Sequence, residues 1–280
     1  MSLDVNSFSR ILVIGGNSFF GSAFSALILS RGFRGELVRT SRNNRQADDT
    51  VSLDPLDRFA LDALVRSFQP DLIVNFAGLT QGTFHELVSV NALLPAQLCG
   101  IAENRVPGAT VVLIGSSAEY GVAKRLTYFS ESSPLVGASP YAYSKRMQSA
   151  EFNSRKNSSI RLLLARPFNL YGNQMPEHLL FGRVLSEFEK RLSTKSDVPI
   201  NVGFLGDYRD WIDVGDASRD LLTGATQISR STILNLGTGV ARTARDMLSE
   251  WVAEKLDGFV HEIEIVERHW RLPNYSVARK

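Results

Sequence analysis

The sequence predicts an α/β fold built on a doubly wound parallel sheet. Three observations carry this. Continuous apolar, β-branched-rich runs alternate with helical segments along the chain, as expected of strands buried on both faces and joined by crossover helices. A glycine-bearing turn, Gly15 to Gly21, joins the first such run to the first helix. Later runs end in small or hydroxyl residues, at Ala77-Gly78 and Ser116-Ser117, and open α/β sheets bind ligands at their strand carboxyl ends.

The first element is Ile11-Leu12-Val13-Ile14, continuous rather than alternating. It runs into Gly15-Gly16-Asn17-Ser18-Phe19-Phe20-Gly21 and an apolar helix from about Ser22 to Arg31. Strand, glycine turn and helix together form a dinucleotide-binding arrangement. Gly15 permits the tight turn, Gly21 permits close helix packing, and a pyrophosphate meets the positive helix end. Ser18 stands where a middle glycine is usual and adds a hydroxyl. A purely structural loop is the competing reading.

Glu36 to Thr40 reads as the second strand. An acid at its end would hold a ribose 2′-hydroxyl. The chain offers Arg39-Thr40-Ser41-Arg42-Asn43-Asn44-Arg45 instead. Guanidinium groups suit a 2′-phosphate, so NADP(H) is expected over NAD(H), with a solvated basic loop as the bland alternative. Val51 to Asp54 reads as the third strand, with Asp54 at its end near where an adenine would lie. A helix follows to about Phe68, then a strand from Asp71 to Gly78 whose end, Ala77-Gly78, is small enough for a cofactor to lie over it. A helix from about Thr83 to Asn104 carries Asn91, whose amide either bonds backbone of the sheet or faces solvent. Val111 to Ser117 is the next strand, with Ser116 at its end.

Ser139-Pro140-Tyr141-Ala142-Tyr143-Ser144-Lys145 opens the helix after that. Ser139 suits the cap and Pro140 the first turn. Tyr141 and Lys145 then share one helix face. A neighbouring ammonium favours a phenolate and so lowers the tyrosine pKa from its usual ~10, which suits proton exchange with a sugar hydroxyl or carbonyl. Alone, the pair is equally an exposed helix with two common residues.

Composition narrows the class. The 280 residues permit one large domain or a major and a minor one. Hydrophobic residues make up 44% and charged residues 21%, an ordinary soluble globular balance. The net charge of +2 argues against a dedicated nucleic-acid binder. No apolar run approaches the ~20 residues that span a bilayer, and Met1 to Arg10 does not read as a signal peptide. The single cysteine, Cys99, suits a reducing cytoplasm and a buried structural role. The four histidines show no metal-ligand spacing, so no metal is expected.

The constellation resembles the extended short-chain dehydrogenase/reductase family, in its NAD(P)-dependent nucleotide-sugar epimerase, dehydratase and reductase branch. The likeness runs from about Arg10 to Pro273 and rests on Gly15 to Gly21, Asp54, Ala77-Gly78, Asn91, Ser116-Ser117-Ala118-Glu119-Tyr120-Gly121 and Ser139 to Lys145. It implies a Rossmann-type sheet over residues 1–166 and a small substrate-binding cap over 167–280, with about 201–236 returning partly to the sheet. By this resemblance Ser116, Tyr141 and Lys145 are catalytic, and Lys145 also holds the nicotinamide ribose. The cofactor-binding set is Gly15, Asn17, Ser18, Phe19, Phe20, Gly21, Ser41, Arg42, Asp54, Pro55, Leu56, Phe76, Ala77, Gly78, Asn91, Tyr141, Lys145, Arg166 and Pro167, with a structural role as the alternative for Arg166. Ser117, Ala118, Asn169, Arg209 and Arg271 are implied substrate contacts.

Asn169 lies in a tract similar to the family's Arg-Pro-x-Asn-x-Tyr-Gly, and Arg209 in one similar to Arg-Asp-Phe/Trp-x-x-Val. A salt bridge, for instance to Asp210, is the plainer reading of Arg209. Family 4,6-dehydratases carry an acid two places after the catalytic hydroxyl, where this chain has Ala118, so dehydration is not expected. The tracts at Thr40 to Asn44 and Arg209-Asp210 most resemble reductases that make GDP-6-deoxyhexoses. The expected reaction is NADP(H)-dependent 4-keto reduction of a nucleotide-diphosphate sugar. The alternatives are an NAD-dependent 4-epimerase and a non-catalytic NADP(H)-sensing protein. The resemblance also implies a homodimer through a four-helix bundle, and neither nucleic-acid nor membrane partners.

Overall fold

The computed structural model describes residues 5–42, 50–123, 125–194, 200–256, 265–267 and 275–279. The chain begins with β1 (Arg10–Ile14), α1 (Phe19–Ser30), β2 (Glu36–Ser41) and β3 (Thr50–Ser52). Next come α2 (Arg58–Phe68), β4 (Leu72–Asn75), α3 (Phe84–Val88), α4 (Leu94–Arg105) and β5 (Thr110–Ile114). The middle holds β6 (Tyr128–Phe129), α5 (Pro140–Arg155), β7 (Arg161–Pro167), β8 (Asn169–Tyr171), α6 (Leu180–Thr194) and β9 (Ile200–Val202). The last part holds β10 (Tyr208–Asp213), α7 (Val214–Gln227), β11 (Thr232–Leu236), β12 (Ala241–Thr243), α8 (Ala244–Leu256), β13 (Ile265–Glu267) and β14 (Tyr275–Ala278).

Two compact units emerge. The first comprises Met1–Gly121, Glu131–Pro167 and Val214–Leu236; the second comprises Val122–Ser130, Phe168–Asp213 and Gly237–Lys280. The first unit is a seven-stranded sheet in the order β11-β7-β5-β4-β1-β2-β3. Every pairing in it is parallel. The chain winds outward from β1 through β2 and β3, then restarts at β4 on the other side. That reversal opens a crevice at the carboxyl ends of β1 and β4, where such sheets bind ligands.

Buried strands need apolar side chains on both faces. Leu12, Ile14, Ile73, Val111, Leu113, Leu162 and Leu164 share one core cluster with Leu61 and Val65 of α2, Leu98 and Cys99 of α4, and Phe152 of α5. Strand alternation sends Leu163 to the opposite face. There α7 comes so close that a Cβ on Gly224 would lie 2.9 Å from Leu234 and 3.3 Å from Leu163. Each fully buried aliphatic side chain adds roughly 1.5–3 kcal/mol. Cys99 is inside this core, and burial pushes its thiol up to about 12.

Several boundaries differ from the sequence reading. Helix α1 starts at Phe19 rather than Ser22, because Ser18 caps it by accepting from Gly21 N at 3.1 Å. Strand β3 ends at Ser52 and β4 at Asn75, leaving Asp54, Phe76, Ala77 and Gly78 in the turns beyond. The single helix expected from Thr83 to Asn104 is interrupted by a π segment, Ser89–Leu93. Pro95 has no N–H to complete the regular ladder there.

The second unit holds a five-stranded sheet with β12-β10-β14-β6 in order and β8 also paired to β10. A two-stranded sheet pairs β13 with β9. Its core gathers Phe181, Val184, Trp251 and Met247 around Ile200 and Val202. The Asp210 carboxylate, fully buried, accepts from Thr238 N and Oγ1 at 2.7 Å, Gly239 N at 2.8 Å and Ala278 N at 3.1 Å. It ties the turn after β11 and the strand β14 to β10.

Candidate active site

The crevice between β1 and β4 is built by backbone approaching backbone. Gly15 has φ of +72°, and a Cβ on it would lie 2.8 Å from Ala77 N. A Cβ on Gly21 would lie 2.5 Å from Gly15 O. Gly15 N donates to Thr40 Oγ1 at 3.3 Å and Gly16 N to Thr40 O at 3.0 Å, locking the turn to β2. The turn thus leads straight into the positive end of a twelve-residue helix.

A cleft of about 270 Å³ opens here. Of the expected cofactor contacts, Gly15, Asn17, Ser18, Ser41, Arg42, Asp54, Pro55, Leu56, Phe76, Ala77 and Gly78 line it. Thr40, Leu53, Leu79 and Val90 line it too and escaped the sequence reading. Their apolar or neutral side chains carried no chemical signal, and only the packing of β2, β3 and the π segment brings them in. Glycine contacts that leave no room for a Cβ, a helix N-terminus and a cleft lined by both apolar and polar side chains fit a dinucleotide.

Other expected contacts play different parts. Phe20 is 6% exposed and packs edge-on against Phe76, with ring centroids 4.8 Å apart. Its side chain belongs to the core beneath the cleft, and Gly21 lies under the turn. Phe19 is the first residue of α1 and does not line the cleft. Asn91 is fully buried: Oδ1 accepts from Leu79 N at 2.9 Å, and Nδ2 donates to Leu79 O at 2.8 Å and Ser144 Oγ at 3.0 Å. It therefore ties the turn after β4 to α5 rather than touching a cofactor. Arg166 is 1% exposed and spends its guanidinium on Glu119, Tyr120, Ser149 and the Glu131 carbonyl. Its place among cofactor contacts is withdrawn, because an arginine so surrounded has no face left for a ligand. Pro167 is buried at the end of β7, opposite Leu236.

Ser139 caps α5, its Oγ accepting from Ala142 N at 3.1 Å, and Pro140 occupies the first turn. Lys145 lies one turn after Tyr141 and is 5% exposed. Its ammonium donates to the Ile114 carbonyl at 2.7 Å, at the end of β5. Ser116 follows that strand end and starts a short 3-10 turn, Ser117–Tyr120, which carries Ser117 and Ala118. The Tyr141 hydroxyl is hydrogen-bonded to Ser116. Ser116, Tyr141 and Lys145 thus meet at the tip of β5.

The expected lowering of the Tyr141 pKa by Lys145 is not what this geometry does. Burial pushes the phenol up, and the Ser116 hydrogen bond only partly opposes it. The ammonium is directed at the Ile114 carbonyl, and burial brings its own pKa down to about 8, against the pull of Glu119. At neutral pH, Tyr141 therefore holds its proton.

In the second unit, Asn169 Nδ2 donates to Asp210 O at 3.0 Å. Arg209 pairs with Asp207 at 2.9 Å, so its carboxylate partner is Asp207 rather than Asp210. Arg271 lies outside the described residues, as do Asn43, Asn44 and Arg45. Among the described residues no cluster of His, Cys, Asp and Glu has the makings of a metal site, and no helix is long and apolar enough to cross a membrane.

A dinucleotide cradle beside a Ser, Tyr and Lys cluster defines an NAD(P)-dependent enzyme of the short-chain dehydrogenase/reductase type. Comparison with known proteins agrees. The model of the NAD dependent epimerase/dehydratase family matches residues 11–237. A dTDP-6-deoxy-L-talose 4-dehydrogenase (NAD(P)(+)) of Kitasatospora kifunensis is 26% identical, covering 97% of this chain and 89% of that protein. A GDP-6-deoxy-D-talose 4-dehydrogenase of Aggregatibacter actinomycetemcomitans is 24% identical over 82% of this chain and 75% of its own. The crystal structure of Thermus thermophilus UDP-glucose 4-epimerase with NAD superposes with a TM-score of 0.77 at 22% identity, covering 96% of this chain and 90% of that one. The chain belongs to the NAD dependent epimerase/dehydratase family, within its nucleotide-sugar branch.

The buried ammonium makes stability depend on pH. The folded pKa of Lys145, about 8, lies below the ordinary 10.5. Between those values the unfolded chain holds a proton that the native chain has released, so stability rises with pH. Relative to Lys145→Met, the wild type should gain on the order of 2 kcal/mol from pH 7.5 to 10. Urea denaturation across that range measures it, and parallel curves would refute it.

Proposed function

We propose that this chain reduces the 4-keto group of a nucleotide-linked 6-deoxyhexulose with NADP(H). The observation that carries the reading is the convergence of Ser116, Tyr141 and Lys145 at the tip of β5, with burial keeping the phenol protonated beside Ser116. A carbonyl being reduced needs a proton donor at its oxygen, and this pair supplies one. The reduced nicotinamide, when bound in the β1–β4 crevice, supplies the hydride. Tyr141 gives its proton to the developing alkoxide, Ser116 steadies that oxygen, and Lys145 holds α5 to the end of β5. Ala118 stands where a dehydratase acid would, which supports reduction over water loss. The two 4-dehydrogenase relatives carry names for the same oxidoreduction at sugar C4. Asn169, Arg209 and Arg271 would hold the nucleotide diphosphate, with Arg209 needing to share itself with Asp207.

Arg42, exposed and lining the cleft at the end of β2, supports NADP(H) over NAD(H). Titration by cofactor fluorescence should show tighter NADPH than NADH binding. Arg42→Ala should weaken NADPH roughly tenfold, the worth of one charge-assisted contact, and leave NADH unchanged. Equal affinities in the wild type would remove the preference.

Turnover on a panel of nucleotide 4-keto sugars should consume one NADPH per product. Tyr141→Phe should bind the cofactor normally and lose roughly 10²-fold or more in kcat. Interconversion of sugars without net NADPH consumption would replace this reading with the 4-epimerase, and cofactor binding with no turnover would leave a redox-sensing protein.

The homodimer is part of the same proposal. Phe84, at 50% exposure, and Tyr143, at 49%, present a joined aromatic face on α3 and α5, with ring centroids 6.0 Å apart. Met147 extends it on α5. Sedimentation at micromolar concentration should give a dimer, and Tyr143→Glu should give a monomer. A monomeric wild type would sink this part alone.

A further inference from the structure

Beneath the tip of β5 lies a buried ion pair that the chemistry above does not use. Glu119 is fully buried and Arg166 is 1% exposed. Glu119 Oε1 accepts from Ser116 N at 2.8 Å. Its Oε2 accepts from Ser149 Oγ and from Arg166 Nε, the latter at 3.3 Å. Arg166 donates further to the Tyr120 hydroxyl at 3.0 Å and to Ser149 Oγ at 2.9 Å. Gly115 makes room for the pair: a Cβ there would lie 2.6 Å from Glu119 Oε1 and 3.1 Å from Arg166 Cγ. A buried ion pair is a weak source of stability, since apolar residues of the same volume often do as well or better. Stability alone does not account for this one.

The geometry supplies a reason. Two charged side chains pin the same short stretch of backbone. Lys145 Nζ holds the Ile114 carbonyl at 2.7 Å, and Glu119 holds the Ser116 amide at 2.8 Å. Between them the Ser116 side chain is fixed, its Oγ accepting from Ala118 N at 3.1 Å and meeting the Tyr141 hydroxyl. A displacement of ~1 Å at a reacting group is enough to cost ~10²-fold in rate.

We propose that Glu119, held by Arg166, is a positioning residue that fixes Ser116 against Tyr141, and that its charge sets the field in which Lys145 and Tyr141 ionise. The proposal rests on the reading in which those three residues do the chemistry. The titratable groups around this centre are Glu119 from the turn after β5, whose pKa burial raises against the pull of Arg166, and, behind it, Arg166 from β7 with Tyr120 on its guanidinium. Neutral groups lie beside it: the Ile114 carbonyl from β5, Gln148 Oε1 from α5 at 3.5 Å from Nζ, and Gly78, on which a Cβ would lie 3.6 Å from Nζ. The Glu119 charge favours the ammonium of Lys145 and disfavours the phenolate of Tyr141. Neutralising it lowers both pKa values.

The test uses the full chain, and its first half needs no substrate. Unfolding stability against pH is measured for the wild type and for Glu119→Gln, each beside its own Lys145→Met counterpart. The rise in that difference marks the Lys145 titration. In Glu119→Gln the rise should begin at least about half a pH unit lower than in the wild type. A merely structural Glu119 would lower all the curves and leave the position of the rise unmoved, which would overturn the proposal. Should Glu119→Gln not fold, Glu119→Gln with Arg166→Met leaves neither charge unpaired and takes its place under the same criterion. The positioning half is read from Glu119→Asp, which keeps the charge and shortens the reach. It should lower kcat about tenfold or more, leave the cofactor Kd unchanged and keep the rise where the wild type has it. Full kcat in Glu119→Asp would remove that half. Absence of reductase turnover in the wild type would sink the functional reading instead, and leave the stability comparison standing.

Discussion

One contact organises the chemistry of the first unit: the Lys145 ammonium on the Ile114 carbonyl, 2.7 Å long and nearly sealed from water. It joins α5 to the strand whose tip carries Ser116. An ammonium in such a place loses its hydration and must be repaid by dipoles and charge. The Ile114 carbonyl gives the dipole, and Glu119 gives the charge from behind. Because the site is dry, these few partners outweigh what they would contribute in water.

The same dryness reverses a simple expectation about Tyr141. In a solvated helix, a lysine one turn on would favour the phenolate. Here both groups are desolvated, the ammonium is turned to the strand end, and the carboxylate that acts on both is Glu119. Burial therefore dominates, and the phenol stays protonated. A phenol in this state can donate a proton, which supports the proposed reduction of a carbonyl.

The cofactor crevice follows a different rule, that of backbone reach. Gly15 against Ala77 and Gly21 against Gly15 are contacts that no side chain could occupy. They place the α1 N-terminus over the sheet's reversal point. Most of the cleft lining was readable in advance because it sits in the turns that follow strands, and the glycine, Asp54 and Ala77-Gly78 signals mark those turns. For Asn91 and Arg166 a structural role was one of two readings, and only burial selects it. Both are polar groups buried to exhaustion, and burial is invisible in a list of residues.

The sequence by itself determined the alternation of strands and helices, the glycine turn, and the Ser, Tyr and Lys that share the site. These depend on local periodicity, backbone freedom and helix spacing, which neighbouring residues settle among themselves. Only the tertiary structure decided that Glu119 turns inward to Arg166, that a π segment aims Asn91 at Ser144, that Arg209 pairs with Asp207, and that the phenol keeps its proton. Each of these depends on which distant groups exclude water from which others, and desolvation is a property of the assembled core rather than of any stretch of chain.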